Sequence, residues 1–432
     1  MKYFSTKNRN IHYSLKEAVL KGLPDDNGLF MPQYFPQLPS SFTNNLANYS
    51  FQEIAFELCK DFLLEDVPET IIKSIVDKAI DFEAPLVSID NDTFAMELFH
   101  GPTLAFKDFG ARFMAQLMQY FVKDNSAVTT ILVATSGDTG SAVANGFYDV
   151  DGIEVIILYP KNKVSFLQEK QLTTLGKNIK AIEVDGTFDD CQTLVKMAFL
   201  DKEIKQKKNL SSANSINIVR LIPQGFYYAN AVKQLQLLGR NIVFSVPSGN
   251  FGNLTAGLFV KKMGINIHQF IAATNANNIV PKYLSSGVYN PKPSVQTISN
   301  AMDVGNPSNF ARMMSLYDNN LEKIKEDVVG YYFDDSETKA AMKFVYEAVG
   351  YTLDPHGAVA YLAFKKYQEK NSDTVGVILE TAHPAKFIDV IEDTLQIKVQ
   401  LPNQLLAIKE KVKNAMPLDN NYDLFKLLLL SI

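Results

Sequence analysis

The sequence predicts an α/β protein, with two parallel-sheet domains preceded by a mainly helical N-terminal domain. The chain has 432 residues, which is more than a single hydrophobic core usually supports. From residue 93 onward, short apolar runs rich in β-branched residues alternate with amphipathic helical windows. Strand and helix signals that alternate in this way are typical of parallel sheets covered by helices.

The N-terminal block, residues 1–92, has a different pattern. Between Phe51 and Phe82, apolar residues such as Ile54 and Leu58 recur at helical spacing. No combination of catalytic side chains stands out in this block. We therefore expect it to serve packing or an oligomer contact.

The predicted strands after residue 93 are apolar on both faces, which favours parallel sheets buried on each side. One further segment, Asn275 to Asn309, is rich in Asn, Ser and Pro and is too long for an ordinary connection. It is either an inserted structured segment or an active-site loop. The predicted strands are Thr129–Ala134, Val155–Leu158, Ile242–Val246, Phe270–Ala273 and Val375–Leu379.

Composition narrows the possible partners. The net charge is −5 and no basic face is evident, so we expect no nucleic-acid partner. The N-terminus has no apolar leader and no run is long enough to span a bilayer, so we expect a cytoplasmic protein without membrane contact. Cys59 and Cys191 lack metal-ligand spacing; we expect two buried thiols and no metal site.

Two glycine-containing loops follow predicted strands. Ser136 to Gly140 leads into a helix of small residues, and Ser248 to Asn253 leads into another helix. Glycines allow close backbone approach, and the amides at a helix N-terminus attract anions. Plain turn chemistry is the alternative for the first loop. The second lacks the Walker lysine and the GxGxxG spacing, so a compact phosphate fits it better than a nucleotide.

Two single residues complete the candidate site. Thr381 follows a predicted strand and could contact a ring nitrogen, although a threonine there is often only a helix cap. Lys107 lies among Leu104, Phe106 and Phe109. A lysine in apolar surroundings loses its proton more readily and can attack an aldehyde. The alternative is a surface lysine paired with Asp108.

Eight segments, in this order along the chain, resemble the fold type II pyridoxal-phosphate (PLP) enzymes of the tryptophan synthase β group. Within that group they are most similar to the threonine synthase family, in its long form with an N-terminal extension. The segments are NGLFMP (27–32), FHGPTLAFKDFG (99–110), ATSGDTGSAVA (134–144), SANSINIVRLIPQ (212–224), VPSGNFGNLTAG (246–257), SNAMDVGNPSN (299–309), DPHGAVAY (354–361) and TAHPAKF (381–387).

The resemblance implies the cofactor and its ligands. Pyridoxal 5′-phosphate would form a Schiff base with Lys107, and Thr381 would hydrogen-bond the pyridine nitrogen. The phosphate of the cofactor would bind the loop made of Ser248, Gly249, Asn250, Phe251, Gly252 and Asn253.

The resemblance also implies the reaction, in which O-phospho-L-homoserine and water give L-threonine and phosphate, the last step of threonine biosynthesis. For the substrate carboxylate we expect the loop Ser136 to Thr139. Relatives in the wider group often carry Asn where this chain has Asp138. For the substrate phosphate we expect Ser215 and Arg220, with Asn217 three residues before Arg220 on one helix face. A surface ion pair is the alternative for Arg220.

The expected domains are residues 1–92, a large PLP-binding domain from 93–110 and 221–432, and a small mobile α/β domain from 111–220. We expect a monomer or homodimer. A phospho-lyase of the same fold, giving α-ketobutyrate, ammonia and phosphate, is the nearest alternative. A non-catalytic binding or scaffold protein on an inherited fold is the alternative from another class.

Overall fold

A computed structural model describes residues 1–123 and 127–432 of the chain. Its strands are β1 (Tyr3–Ser5), β2 (Asn8–Tyr13), β3 (Phe30–Pro32), β4 (Leu86–Asp90), β5 (Thr93–Glu97), β6 (Thr129–Ala134), β7 (Ile153–Pro160), β8 (Ile179–Asp185), β9 (Asn209–Ser212), β10 (Asn241–Pro247), β11 (Gln269–Thr274), β12 (Val328–Tyr332), β13 (Thr374–Glu380) and β14 (Met416–Asp419).

Helices account for most of the remaining regular structure. They are α1 (Leu15–Lys21), α2 (Ser40–Thr43), α3 (Phe51–Leu63), α4 (Glu69–Ala79), α5 (Lys107–Val122), α6 (Asp138–Gly146), α7 (Phe166–Thr173), α8 (Phe188–Leu200), α9 (Lys202–Lys207), α10 (Phe226–Leu235), α11 (Gly252–Lys262), α12 (Ile279–Ser286), α13 (Phe310–Leu316), α14 (Leu321–Asp327), α15 (Asp335–Val349), α16 (Pro355–Gln368), α17 (Ile388–Leu395), α18 (Asn403–Lys409) and α19 (Tyr422–Ser431).

The N-terminal block is mainly helical, as predicted, and its long helical pattern is divided into α3 and α4. Ser50 caps α3 through a reciprocal capping box with Glu53, and Pro68 stands immediately before α4. The sequence pattern gave no sign of the small antiparallel sheet in this block, with strand order β2-β1-β3. Its strands are only three to six residues long, too short for a clear period-two pattern.

The larger parallel sheet has the strand order β12-β11-β10-β13-β5-β4. All neighbouring pairs are parallel except β4 with β5, which is an antiparallel edge pair. The predicted strands at 242–246, 270–273 and 375–379 lie within β10, β11 and β13, and all three are buried. The prediction of parallel strands covered on both faces is confirmed for this sheet.

The smaller sheet is wholly parallel, with the order β14-β8-β7-β6-β9. Its edge strand β14 comes from the C-terminal end of the chain, and Phe425 and Leu429 of α19 pack into the core of this sheet. Residues 416–432 therefore pack with the small sheet, whereas the prediction had assigned them to the large domain. Strand β4 likewise places the start of the large sheet at residue 86, ahead of the predicted residue 93.

The carboxyl ends of β10, β13 and β5 lie side by side in the large sheet. The loop 248–253, Thr381 and the segment leading to Lys107 follow these three strands, so the fold brings them to one edge.

The polar segment 275–309 contains α12 and a short 3₁₀ turn, Asn300–Met302. Both cysteines are buried and unpaired. None of the helices within residues 1–123 and 127–432 combines the length and apolar composition needed to cross a bilayer.

Candidate active site

Lys107 is the first residue of α5, directly after a segment that pairs with the chain beyond β13. The Phe106 amide donates to the Thr381 carbonyl at 2.9 Å, and the His383 amide donates to the Leu104 carbonyl at 3.0 Å. Leu104 has a φ of 59°, a left-handed conformation that costs energy for a leucine. These contacts fix Lys107 next to Thr381.

The Lys107 side chain is half-buried, and Nζ makes no hydrogen bond or ion pair to any described residue. Burial is the main cause that lowers the pKa of this lysine to about 8; Lys386 and Arg220 add to the lowering, and the Asp138 charge opposes it. The alternative of a pair with Asp108 is wrong, because the Asp108 carboxylate accepts from the Thr103 amide and hydroxyl. An unpaired amine with a pKa close to neutral pH is suited to nucleophilic attack.

Asp138 begins α6 in the small-sheet domain and faces the large one. Its carboxylate lies 2.6 Å from the Lys386 ammonium and accepts from the Gln168 amide at 2.8 Å. Burial alone would raise the pKa of Asp138, but Lys386 and Lys107 outweigh it and hold this pKa well below its usual range. Asp138 is therefore an ionised carboxylate that joins the two parallel-sheet domains.

The other residues of the loop 136–139 leave donors free for an anion. Ser136 is exposed and Thr139 half-buried. The Thr135 hydroxyl accepts hydrogen bonds from the Gly137 and Gly140 amides. Gly137 has a φ of 143°, which residues other than glycine rarely adopt. The Asp138 and Thr139 amides of the first turn of α6 have no partner within the helix and stay available. Such a loop is suited to a carboxylate.

The loop 248–253 lies between β10 and α11. Phe251 adopts a left-handed φ of 59°, and Gly252 starts the helix. Ser248 is anchored, its hydroxyl donating to the Val246 carbonyl at 2.8 Å. At Gly249 an added Cβ would lie 2.6 Å from the Ala301 carbonyl oxygen, so only glycine fits there.

Two asparagines of this loop have contrasting surroundings. The Asn250 amide donates to the Ser215 hydroxyl at 2.7 Å. The side-chain oxygen Oδ1 of Asn253 accepts from the hydroxyls of Tyr227 and Tyr228 at 2.6 and 2.7 Å, which fixes the orientation of the side-chain amide. Its Nδ2 is then buried without a partner. A buried donor without an acceptor is costly unless a ligand supplies one.

Thr381, at the end of β13, is buried, with 8% of its surface exposed. It does not cap the following turn, because the N-cap residue there is His383. The alternative of a capping threonine is therefore wrong. The Thr381 hydroxyl is left beside the Lys107 segment.

The predicted ligands in the segment 215–220 have different surroundings. Arg220 is buried and makes no ion pair to a described residue, so the surface-pair alternative is wrong. Burial lowers the pKa of Arg220 to about 10, and its Nε has no partner. Asn217 is not on a helix face with Arg220; it caps a 3₁₀ turn and donates both amide hydrogens to the Val19 and Ser212 carbonyls. These contacts favour a structural role for Asn217.

Comparison with known proteins decides the family. The sequence model of the family described as "Pyridoxal-phosphate dependent enzyme" matches residues 83–380. Those described as "Threonine synthase N terminus" and "Threonine synthase, C-terminal" match residues 2–80 and 357–427. The threonine synthase of Escherichia coli K12 is 44% identical over 406 residues, which cover 94% of each chain. The chain belongs to the threonine synthase family.

Solved structures agree with this assignment. A crystal structure of the threonine synthase from Escherichia coli superimposes with a TM-score of 0.93 at 42% identity and covers 100% of both chains. A crystal structure of PLP-bound threonine synthase from Brucella melitensis gives a TM-score of 0.94 at 34% identity, and covers 100% of this chain and 99% of that one. The fold is therefore that of a PLP-dependent threonine synthase, and the expectation of an enzyme of this family is confirmed.

The residues present fit PLP. Lys107 offers an unpaired amine, and Asn253 offers a buried donor without an acceptor. Both belong to segments that the sequence comparison with the threonine synthase family had marked. A cavity of about 1,890 Å³ includes Asn250 and Asn214 in its lining, but most of its lining residues belong to the N-terminal block and to α8.

Sequence reasoning overlooked three residues around the site. Lys386 and Gln168 hold Asp138, and Arg312 is a fully buried arginine near the loop 248–253. The signal for Lys386 was present, since it is a lysine among apolar residues, like Lys107. No local signal marks Gln168 or Arg312, because their partners are distant in sequence.

Proposed function

We propose that this chain converts O-phospho-L-homoserine and water into L-threonine and inorganic phosphate, the last step of threonine biosynthesis. PLP would be attached covalently through the Lys107 amine. The observation that carries this proposal is the unpaired, half-buried Lys107 amine with a pKa of about 8, in a chain of the threonine synthase family. The cofactor, when bound, supplies an electron sink for negative charge at the substrate carbons next to its amine.

Lys107 would act as the mobile base of the reaction. With its Nζ free, it would take the proton from Cα and then the proton from Cβ. The Cγ–O bond would break, and phosphate would leave with the bonding electrons and one proton. A proton would return to Cγ, water would add its hydroxyl to Cβ and release its other proton, and a proton would return to Cα. A base whose pKa lies near the working pH suits repeated proton transfers.

The remaining residues would bind and orient. The loop 248–253 would bind the cofactor phosphate through its amides and through the unpartnered Nδ2 of Asn253. Thr381 would contact the pyridine nitrogen through a neutral hydroxyl. This contact leaves the nitrogen less protonated than a carboxylate would.

The substrate would be bound from two sides. Its carboxylate would face the first-turn amides of α6, reached through Ser136 and Thr139. Its phosphate would face Arg220, whose buried Nε has no partner, together with Ser215. A buried guanidinium with an unpaired N–H can form a charge-assisted hydrogen bond with phosphate.

A cytoplasmic location and a monomeric or homodimeric state stay predictions.

The test is product stoichiometry. Purified protein is incubated with PLP and O-phosphohomoserine, and threonine, α-ketobutyrate and phosphate are quantified. We expect threonine equal to phosphate, and no products from Lys107→Ala. The control variant Lys177→Ala removes an exposed lysine that pairs with Asp149, and should keep the activity. Phosphate accompanied by α-ketobutyrate instead of threonine would identify the phospho-lyase, for which the comparisons give no support.

A further inference from the structure

Arg312, on α13, is a fully buried arginine whose partners come from three separate parts of the chain. Its Nε donates to the Phe30 carbonyl of β3 at 3.0 Å. One terminal nitrogen donates to the Ser215 carbonyl at 3.1 Å and to the Asn309 side-chain oxygen at 2.6 Å. The other donates to the Ile216 carbonyl at 2.6 Å. Arg312 therefore joins the N-terminal block to the segment 215–216.

No acidic side chain among residues 1–123 and 127–432 pairs with Arg312. Burial lowers its pKa to about 9, which leaves it charged at neutral pH. A buried charge without a counter-charge persists only when polar partners surround it. The planar guanidinium supplies five N–H donors in a fixed geometry, which a lysine cannot match.

The two partners Ser215 and Asn309 in turn hold Asn250 of the loop 248–253. The Ser215 hydroxyl accepts from Asn250 Nδ2 at 2.7 Å and from Asn309 Nδ2 at 3.4 Å. The Asn309 amide donates to the Asn250 carbonyl at 3.3 Å. Arg312 thus contacts two of the residues that hold Asn250; the third is Ser308, whose amide donates to the Asn250 side-chain oxygen at 2.5 Å.

We propose that Arg312 is a positioning residue for the cofactor phosphate, acting through Ser215 and Asn309 on the loop 248–253. The N-terminal block contributes to this positioning, because the Phe30 carbonyl of β3 accepts a hydrogen bond from the Arg312 guanidinium. The inference rests on the proposed binding of the PLP phosphate by this loop. It makes the N-terminal block a part of the cofactor site, beyond the packing or oligomer contact that its sequence predicts.

The test compares two ligands that differ only in the phosphate. The full-length protein, freed of cofactor, is titrated with PLP and with pyridoxal, and covalent capture is followed by absorbance. The variants are Arg312→Lys and, in case that protein fails to fold, Ser215→Ala, which removes the acceptor of Asn250. The control Arg240→Lys alters an arginine that pairs with Asp92 at the opposite end of β10.

We expect Arg312→Lys and Ser215→Ala to weaken PLP binding by about tenfold or more, as expected when a charged ligand loses a hydrogen bond. Pyridoxal binding should change by less than about threefold in both variants, since only the phosphate contacts are disturbed. Arg240→Lys should leave both affinities unchanged. Equal losses for both ligands, or no loss for PLP, would overturn the inference. Equal affinity of the unaltered protein for both ligands would instead refute the phosphate-binding loop itself.

Discussion

The Lys386 ammonium lies 2.6 Å from the Asp138 carboxylate, and both side chains are withdrawn from solvent. Asp138 begins α6 on the small sheet, whereas Lys386 follows β13 of the large sheet. Lys386 also donates to the Thr103 carbonyl at 2.9 Å, four residues before Lys107. The pair therefore links the two parallel-sheet domains at the position of the reactive amine.

Removing one member of this pair should be costly. In Asp138→Asn the Lys386 charge stays buried without a counter-charge, so we expect a loss of about 3–5 kcal/mol in the free energy of unfolding. Urea unfolding measures this value. The control is Asp318→Asn, whose carboxylate forms an exposed pair with Arg9 at 2.9 Å and should change stability little. Equal stability of the two variants would show that the inter-domain pair contributes nothing.

The reactivity of Lys107 should follow the protonation of its amine. In the cofactor-free protein, burial and the neighbouring cations place its pKa at about 8. The rate of PLP capture should therefore rise with pH through a midpoint near 8 and level off above it. Asp138→Asn removes the charge that raises this pKa, so its midpoint should lie lower. Arg220→Met removes a charge that lowers this pKa, so its midpoint should lie higher. A midpoint at the value of an ordinary lysine would contradict the buried environment.

Glu380 should make stability fall as pH rises. It is fully buried next to Asp354, and burial, followed by the Asp354 charge, raises its pKa well above the usual range. The folded protein therefore keeps this proton while the unfolded chain releases it above about pH 4.5. Relative to the unaltered protein, Glu380→Gln should gain about 1.4 kcal/mol per pH unit above that value, up to the folded pKa.

The same variant has a matched control. Glu322→Gln alters an exposed glutamate that pairs with Lys325 at 3.0 Å and should show no such pH-dependent gain. Urea unfolding at several pH values from 4 to 8 compares the three proteins. A constant difference between Glu380→Gln and the unaltered protein would mean that the buried carboxyl is already ionised.

The sequence predicted the elements that carry strong local patterns. The strand at 129–134 coincides with β6, and the loops after β6, β10 and β13 were recognised from their glycines and polar residues. The three-residue strands β1 and β3 leave too short a pattern to detect. Strand β14 pairs with β8 across more than two hundred residues, and no local pattern encodes such pairing.

The candidate site was predictable to the same extent. Thr381 and the loop 248–253 were marked because they follow strands, and Lys107 was marked by its apolar neighbours and by the motif around it. The sequence did not predict the polar residues Lys386, Gln168 and Arg312, because their roles depend on contacts between segments far apart in sequence. Asn217 shows the converse, since its position in a matching motif suggested a ligand while its contacts join α1 to β9.

The central claim is that Lys107 holds the cofactor, and chemical trapping tests it most directly. Holoenzyme is reduced with borohydride, digested, and searched by mass spectrometry for the lysine that carries the pyridoxyl group. The site offers two candidates: the half-buried Lys107 without a partner, and the buried Lys386 paired with Asp138. We predict the label on Lys107, and no label in Lys107→Ala. A label on Lys386, or on any other lysine of the unaltered protein in place of Lys107, would contradict the proposed site.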